Sequence, residues 1–393
     1  MKKSFLYLLT NFIVLFNLSV FAQPDSAIPK TYRIGLFAPL YLDSLFTGTQ
    51  YRHGEQMPKA PIPGLEFIEG AQIALDSINT IHPVKVFIYD YKSKEQSLVN
   101  LGLNNVFDSL DLLIGSVSGI EFKQLADVAL KKNIPFLSAT YPNDGGVTAN
   151  PFLIILNATL NTHCTAIYQY ILKTLPTSKI TILSKKGAME DRIITQFNKL
   201  NTGDNGKPLL NIPMVMVPDS LTKNNIELQL DQNRMNTIVA GTLDENFAKR
   251  LVTLCVELSK NYPITLIGMP NWDGIKDFTK PELNFPVYFP ASYYNPETDK
   301  WSNTVKTVFK ERTNGTAMDL VYKGFECTYY FTNVLIKNKD NFIATINDLP
   351  FRIFTEYDIK PVKLKINSIY PDYYENKKIY ILRRVNGITS KVN

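Results

Sequence analysis

His53, His82 and His163 are the only histidines in this chain, and no two stand at the spacing of a zinc site. His163 directly precedes Cys164, but adjacent side chains on a helix diverge by about 100°. The pair therefore reads as a core position, not as a thiolate–imidazole couple. The run Gly203-Asp204-Asn205-Gly206-Lys207 imitates a phosphate loop, yet Pro208 stands where a Ser or Thr is needed. It predicts a surface turn. No G-x-S-x-G nucleophile elbow occurs. The residues thus assemble no triad, metal cluster or cofactor loop, and the expectation is a chain without catalysis, metal or cofactor.

Cys164, Cys255 and Cys327 each fall in an apolar helical pattern, and three thiols cannot complete a disulfide framework. Buried free thiols fit the pattern; one disulfide plus one free thiol is the alternative in an oxidising compartment. The formal net charge is +6, and it falls to +4 without Lys2 and Lys3. The positive charges are scattered, which argues against the clustered basic face of a nucleic-acid binder. Residues 1–22 read as a cleavable export signal: Lys2 and Lys3, an apolar run from Phe5 to Phe21, then Ala22 before Gln23. An uncleaved anchor is the competing reading, but Asn11 and Asn17 interrupt the run, and spanning needs about 20 apolar residues. No cysteine follows it, so a lipoprotein start is not expected. The localisation implied is periplasmic.

The rest of the chain alternates strand and helix signals in two similar halves, 31–155 and 158–270. Short apolar runs at 31–40, 84–89, 112–115, 134–139 and 152–156 predict buried strands. Between them lie amphipathic stretches over 65–78, 93–107 and 120–132, with Ser93 and Gln96 suggesting a capping box. The second half predicts helices at 159–175, 190–200, 221–232 and 244–258, and strands at 179–183, 214–217, 237–240 and 265–268. Later come an apolar segment at 285–290, helices at 300–311 and 319–336, and an edge strand at 377–385 entering an Asn386-Gly387 turn. Alternation at this spacing implies parallel sheets with right-handed crossovers. The fold class is α/β, with two doubly wound lobes. Ligands of such sheets lie outside the carboxyl ends of the strands. That rule selects loops 41–63, 90–93, 116–119 and 139–146 in one half, and 184–190, 218–221, 241–245 and 269–274 in the other.

Several segments in this order resemble bacterial type I periplasmic solute-binding proteins of the branched-chain amino acid receptor group. They are IGLFAPL (34–40), EGAQIALDSIN (69–79), VFIYDYKS (86–93), the run from LLIGSVSG to IPFLSAT (112–140), GMPNW (268–272) and YKGFECTYYFTNVL (322–335). GLEFIEG, IPFLSATYPND and NPFLIILNATLNTH are similar to an envelope subgroup common in Bacteroidetes. The resemblance implies three crossings between lobes, near 154–159, 285–291 and 349–356. Lobe 1 would then be 31–155 plus 292–348, and lobe 2 158–285 plus 356–390.

By the same resemblance, Ser116, Ser118, Ala139 and Thr140 match positions that hold a ligand carboxylate; Tyr141 and Tyr293 are further candidates for the cleft. Turns feeding helix N-termini do suit an anion, although Ser118 also fits the N-cap of the next helix. Trp272 offers an apolar or cation-stacking wall, or simple packing. Asp273 and Glu190 are candidate partners for an ammonium group, or ordinary surface acids. The family's hydroxyl-rich turn is replaced here by Gly119-Ile120. Two functions are implied: a binding protein closing on a small polar ligand (amino acid, peptide or cell-wall fragment) and feeding an ABC-type permease, or an envelope interaction protein on the same scaffold.

Overall fold

The computed structural model describes residues 31–79, 83–365 and 367–392. The expected signal and His82 lie outside them. The first half runs β1 (Tyr32–Ala38), α1 (Leu42–Leu45), a hairpin of β2 (Phe46–Thr47) and β3 (Gln50–Tyr51), then α2 (Ile62–Asn79) and β4 (Val84–Asp90). It continues with α3 (Leu98–Leu103), β5 (Leu112–Gly115), α4 (Gly119–Lys132), β6 (Phe136–Ser138) and β7 (Leu153–Ile155). The second half runs α5 (Leu160–Thr174), β8 (Lys179–Ser184), α6 (Ala188–Leu200), β9 (Met214–Met216), α7 (Lys223–Glu227), β10 (Asn236–Ala240), α8 (Glu245–Leu258), β11 (Ile264–Ile267) and β12 (Val287–Ala291). Helices α9 (Lys300–Thr313) and α10 (Asp319–Asn338) follow, then β13 (Ile359–Val362), β14 (Tyr373–Asn376), β15 (Tyr380–Val385) and β16 (Ile388–Lys391).

Two mixed, mainly parallel sheets of seven strands result, ordered β13-β14-β7-β6-β5-β1-β4 and β16-β15-β12-β11-β10-β8-β9. Within each, five parallel strands repeat one winding: the first strand of the half lies between the second and the third. Buried strands such as β5 and β10, with every residue covered, are what sheets sandwiched between helices require. The five strands expected in the first half are all present, because those apolar runs need cover on both faces.

Other expectations are corrected. The helix expected at 93–107 shrinks to α3, capped by Ser97, whose hydroxyl accepts from Asn100 N. The Ser93 hydroxyl instead donates to Asp43, and Gln96 accepts from Asp90 N. The stretch 221–232 is helical only over α7. The 377–385 segment is not an edge strand, since β16 folds back on β15 through the Asn386-Gly387 turn, both residues at positive φ.

The chain does cross between lobes three times, but two crossings move. The first is at 156–159, between β7 and α5. Residues 287–291 are strand β12 of the second sheet, so the second crossing follows them. Residues 349–356 do not leave the first lobe: the buried Glu326 of α10 accepts from Phe354 N, Thr355 N and Thr355 Oγ1 at 2.5–2.9 Å. β13 and β14 then extend the first sheet, with β14 parallel to β7. The third crossing is therefore 377–379, and 356–376 belongs with lobe 1 rather than lobe 2.

Helix α10 reaches the first lobe from late in the chain, so its seat on α2 has to be specific. Glycines supply it. A Cβ on Gly70 would lie 1.9 Å from the Val321 carbonyl oxygen, and one on Gly324 2.0 Å from that of Phe67. Neither backbone can yield without parting the helices. Gly70→Ala or Gly324→Ala is expected to cost about 3 kcal/mol or more, at the upper end of overpacking effects. Urea unfolding of the purified variants checks this, and a change under 1 kcal/mol would contradict the close seat.

Candidate functional site

The three crossings are tied together by side chains before any ligand is considered. Glu375 of β14 is 1% exposed. Its Oε1 accepts from Thr159 N (2.8 Å), Thr159 Oγ1 (3.0 Å) and Thr162 Oγ1 (2.7 Å), and its Oε2 from Lys377 Nζ (2.5 Å). One carboxylate of lobe 1 thus holds the first crossing, the N-terminus of α5 and the third crossing. Ser292, in the second crossing, accepts from Ala158 N at 2.9 Å and pairs with His163 Nε2 at 3.3 Å.

Above this knot lies a cavity of about 310 Å³ between the lobes. Pro142 comes from the loop after β6, Asn157 and Ala158 from the first crossing, and Leu243 and Asn271 from loops after β10 and β11. Ser292 and Tyr293 come from the second crossing, and Lys323 from α10. A second chamber of about 200 Å³ adjoins it, sharing Pro142, Leu160 and Leu243 and adding Tyr141, Asp144, Met189 and Arg192. Sites of this size, about 300–1,000 Å³ and between domains, suit small ligands.

The residues expected at the site divide sharply. Asp273 and Tyr293 line the main cavity, Tyr141 lines the second chamber, and Ala139 lines a recess of about 20 Å³ behind Tyr293. Tyr141 packs its ring on Phe122 with centroids 5.0 Å apart. Ser116 and Thr140 bond each other, Oγ to Oγ1 at 3.1 Å, and neither lines these cavities; the Thr140 carbonyl accepts from Nδ2 of the lining residue Asn157 at 2.7 Å. Ser118 occupies the N-cap position of α4 but makes no capping hydrogen bond; it is exposed, and its hydroxyl faces that of Tyr91.

Trp272 is no cleft wall. It is 0% exposed in the core of the second lobe, 5.0 Å from the Phe278 ring, because the 3-10 turn after β11 swings the indole inward over Gly268. Glu190 is not a surface acid either. It is buried and accepts from Thr242 Oγ1 at 2.5 Å. Asp273 is tied to Arg384, whose Nη2 donates to Oδ1 at 2.7 Å and Nη1 to the Asp273 carbonyl at 2.9 Å.

Sequence reasoning missed Lys323, Asn271, Asn157, Ser292 and His163. The signal for Lys323 was present: it is the one cation in the apolar run from 320 to 336. His163 is 2% exposed. Desolvation pulls its imidazole down to about 3, so it is neutral at ordinary pH. Burial pushes the Cys164 and Cys327 thiols up to about 12; Cys255 is raised too, and all three are free and buried. Among the described residues, no group of three or more metal-ligating side chains gathers, and no helix is long and apolar enough to cross a membrane.

No family profile and no curated protein matches the sequence. Solved structures do. The chain is similar to a branched-chain amino acid ABC transporter periplasmic ligand-binding protein from Burkholderia xenovorans LB400, with TM-score 0.63 and 12% identity over 92% of this chain and 95% of that one. It is similar to the branched-chain amino acid transporter substrate-binding protein LivJ of Streptococcus pneumoniae, solved with isoleucine, at TM-score 0.54 and 14% identity over 92% and 99%. An ABC transporter substrate-binding protein from Desulfitobacterium hafniense, solved with Leu, matches at TM-score 0.55 and 11% identity over 92% and 100%. The fold is that of the type I periplasmic binding proteins.

His163 gives the site a pH signature. The unfolded imidazole takes a proton near pH 6.5, while the buried one resists until about pH 3. The unfolded state therefore binds the extra proton, and stability is intact above pH 6.5 and lost as pH falls toward 3. The slope is about 1.4 kcal/mol per pH unit at most. Urea midpoints between pH 7 and 4 are expected to fall less steeply for His163→Gln than for the parent; parallel curves would contradict the assignment.

Proposed function

We propose that this chain is a periplasmic solute-binding protein that closes its two lobes on a small polar ligand and passes it to a membrane permease. The observation that carries the reading is the cavity walled by both lobes and by the crossings between them. Loops from the carboxyl ends of β6, β10 and β11 converge there, where open α/β sheets bind ligands. The fold supports it, since the similar structures are described as transporter binding proteins and two were solved with leucine or isoleucine. The ligand class is an amino acid, a short peptide or a cell-wall fragment. Closure about the crossings would exchange open and closed populations.

A second reading, an envelope interaction protein that carries no solute, is favoured by one feature. The segment 41–61 between β1 and α2 folds into α1 and the β2–β3 hairpin, and it exposes Leu42, Phe46 and Met57 away from the cavity lining.

Native mass spectrometry of gently purified protein, then thermal shifts against amino acids, short peptides and muropeptides, separates the two. A co-purifying small molecule, or a stabilisation of about 2.7 kcal/mol at 100 times its dissociation constant, is the expected result. Native spectra of bare protein with no shift across the panel would transfer the weight to the second reading.

A further inference from the structure

Charge in the main cavity does not balance among its lining residues. Asp273 is neutralised by Arg384. Lys323, half-buried on α10, has no carboxylate within 4.0 Å among the described residues. Its ammonium lies 5.3 Å from the centroid of the Tyr293 ring. The nearest acids are engaged or outside. Asp319, one helical turn earlier, attracts Lys323 but is exposed and outside ion-pair contact, Glu297 accepts from Tyr322, and Glu326 is taken up by residues 354–355. Three further polar atoms of the lining residues are buried without a hydrogen-bond partner: the Tyr293 hydroxyl, which faces the side-chain amide of Asn295, Asn271 Oδ1 and His163 Nδ1. The amide of Asn271 is held in place by its Nδ2, which donates to Leu243 O at 2.8 Å, leaving Oδ1 as an acceptor.

An unbalanced ammonium with a phenol beside it asks for an acid group. A buried amide oxygen asks for an N–H, and one such oxygen satisfies a single amide N–H, whereas it would leave an ammonium's charge and its other donors uncompensated. The adjoining chamber leaves room beyond that N–H for a further group. Resting on the solute-binding reading above, we infer that the ligand is an N-acylated amino acid or the carboxyl end of a peptide, its carboxylate seated on Lys323 and the Tyr293 hydroxyl and its amide N–H on Asn271. The anchor is thereby moved from the Ser116–Thr140 turn to α10 and the second crossing. Ser116 and Thr140 spend their hydroxyls on each other.

The test uses matched sets of free amino acids, their N-acetyl derivatives and the N-acetyl amides, built on alanine, leucine, phenylalanine and glutamate. Titration calorimetry is run with the intact protein. The N-acetyl acid of at least one set is expected to bind at least about tenfold more tightly than both its free amino acid and its amide, the scale of one charged hydrogen bond. Lys323→Met is expected to erase the preference for acid over amide, while Ser116→Ala leaves it. Free amino acids binding as tightly as the N-acetyl forms, or Lys323→Met retaining the acid preference, would overturn the inference with the solute-binding reading intact. No binding by any compound overturns it too, and the native spectra described above then judge the broader reading separately. Stability gives a ligand-free check. Apart from its contact with the Tyr293 ring, a cation kept for a ligand contributes little to the empty fold, so Lys323→Met is expected to melt no more than about 3 °C below the parent. Marked destabilisation would make Lys323 a structural residue and end the proposal.

Discussion

Two lobes in one chain have to be joined without being fused, and here the joint depends on the carboxylate of Glu375. Burying an isolated carboxylate costs several kcal/mol unless donors replace its water. Four donors do so: a backbone N–H and two hydroxyls at the N-terminus of α5, and the Lys377 ammonium. The position also places negative charge at the positive end of a helix. Because β14 belongs to the first sheet and α5 packs on the second, this contact fixes where one lobe ends and the other begins. Ser292 adds the remaining crossing through Ala158 N. Relative motion of the lobes can pass through these short crossings, but it cannot separate them without stripping donors from a buried anion.

The winding of each half could be read from the sequence because parallel strands covered on both faces need unbroken apolar runs, and those runs are short, distinct and regularly spaced. LLIG at 112–115 and NTIVA at 236–240 have no other stable fate. Readings failed where a distant partner decides the outcome. Ser93 has the local signature of a helix start, but Asp43 claims its hydroxyl from across the sheet end, and the helix starts after Ser97. The resemblance implied a crossing near 349–356; Glu326, more than twenty residues away, holds that backbone to the first lobe. No local pattern reports either contact.

The site was less legible than the fold, for a related reason. A strand end can be located by periodicity, but the direction in which a turn aims its side chain cannot. Trp272 and Asp273 are neighbours in one 3-10 turn, yet the indole enters the core and the carboxylate reaches the cavity. Residues brought from the crossings were invisible to a rule that looks only at strand-end loops. Ser292 and Asn157 come from crossings, where only Tyr293 was expected, and Lys323 comes from a helix whose composition reads as core.

That origin bears on how such a site would work. If the lobes close about the crossings as proposed, groups there such as Asn157, Ser292 and Tyr293 would be displaced least. Pro142 sits on a loop of one lobe and Leu243 and Asn271 on loops of the other, so closure would change their separation most. A ligand group resting on the crossings meets the same partners in the open and the closed form, and that contact sets affinity without favouring either form, since equal interaction with two states shifts neither. Contacts to the lobe loops exist only once the lobes approach, and they alone supply the differential free energy that drives closure. The buried, unpaired oxygen of Asn271 lies on the moving side of that division, and Tyr293 on the fixed side. On the proposed function, recognition and closure would thus fall to different residues according to where the chain crosses, a consequence of holding two sheets together at a buried carboxylate.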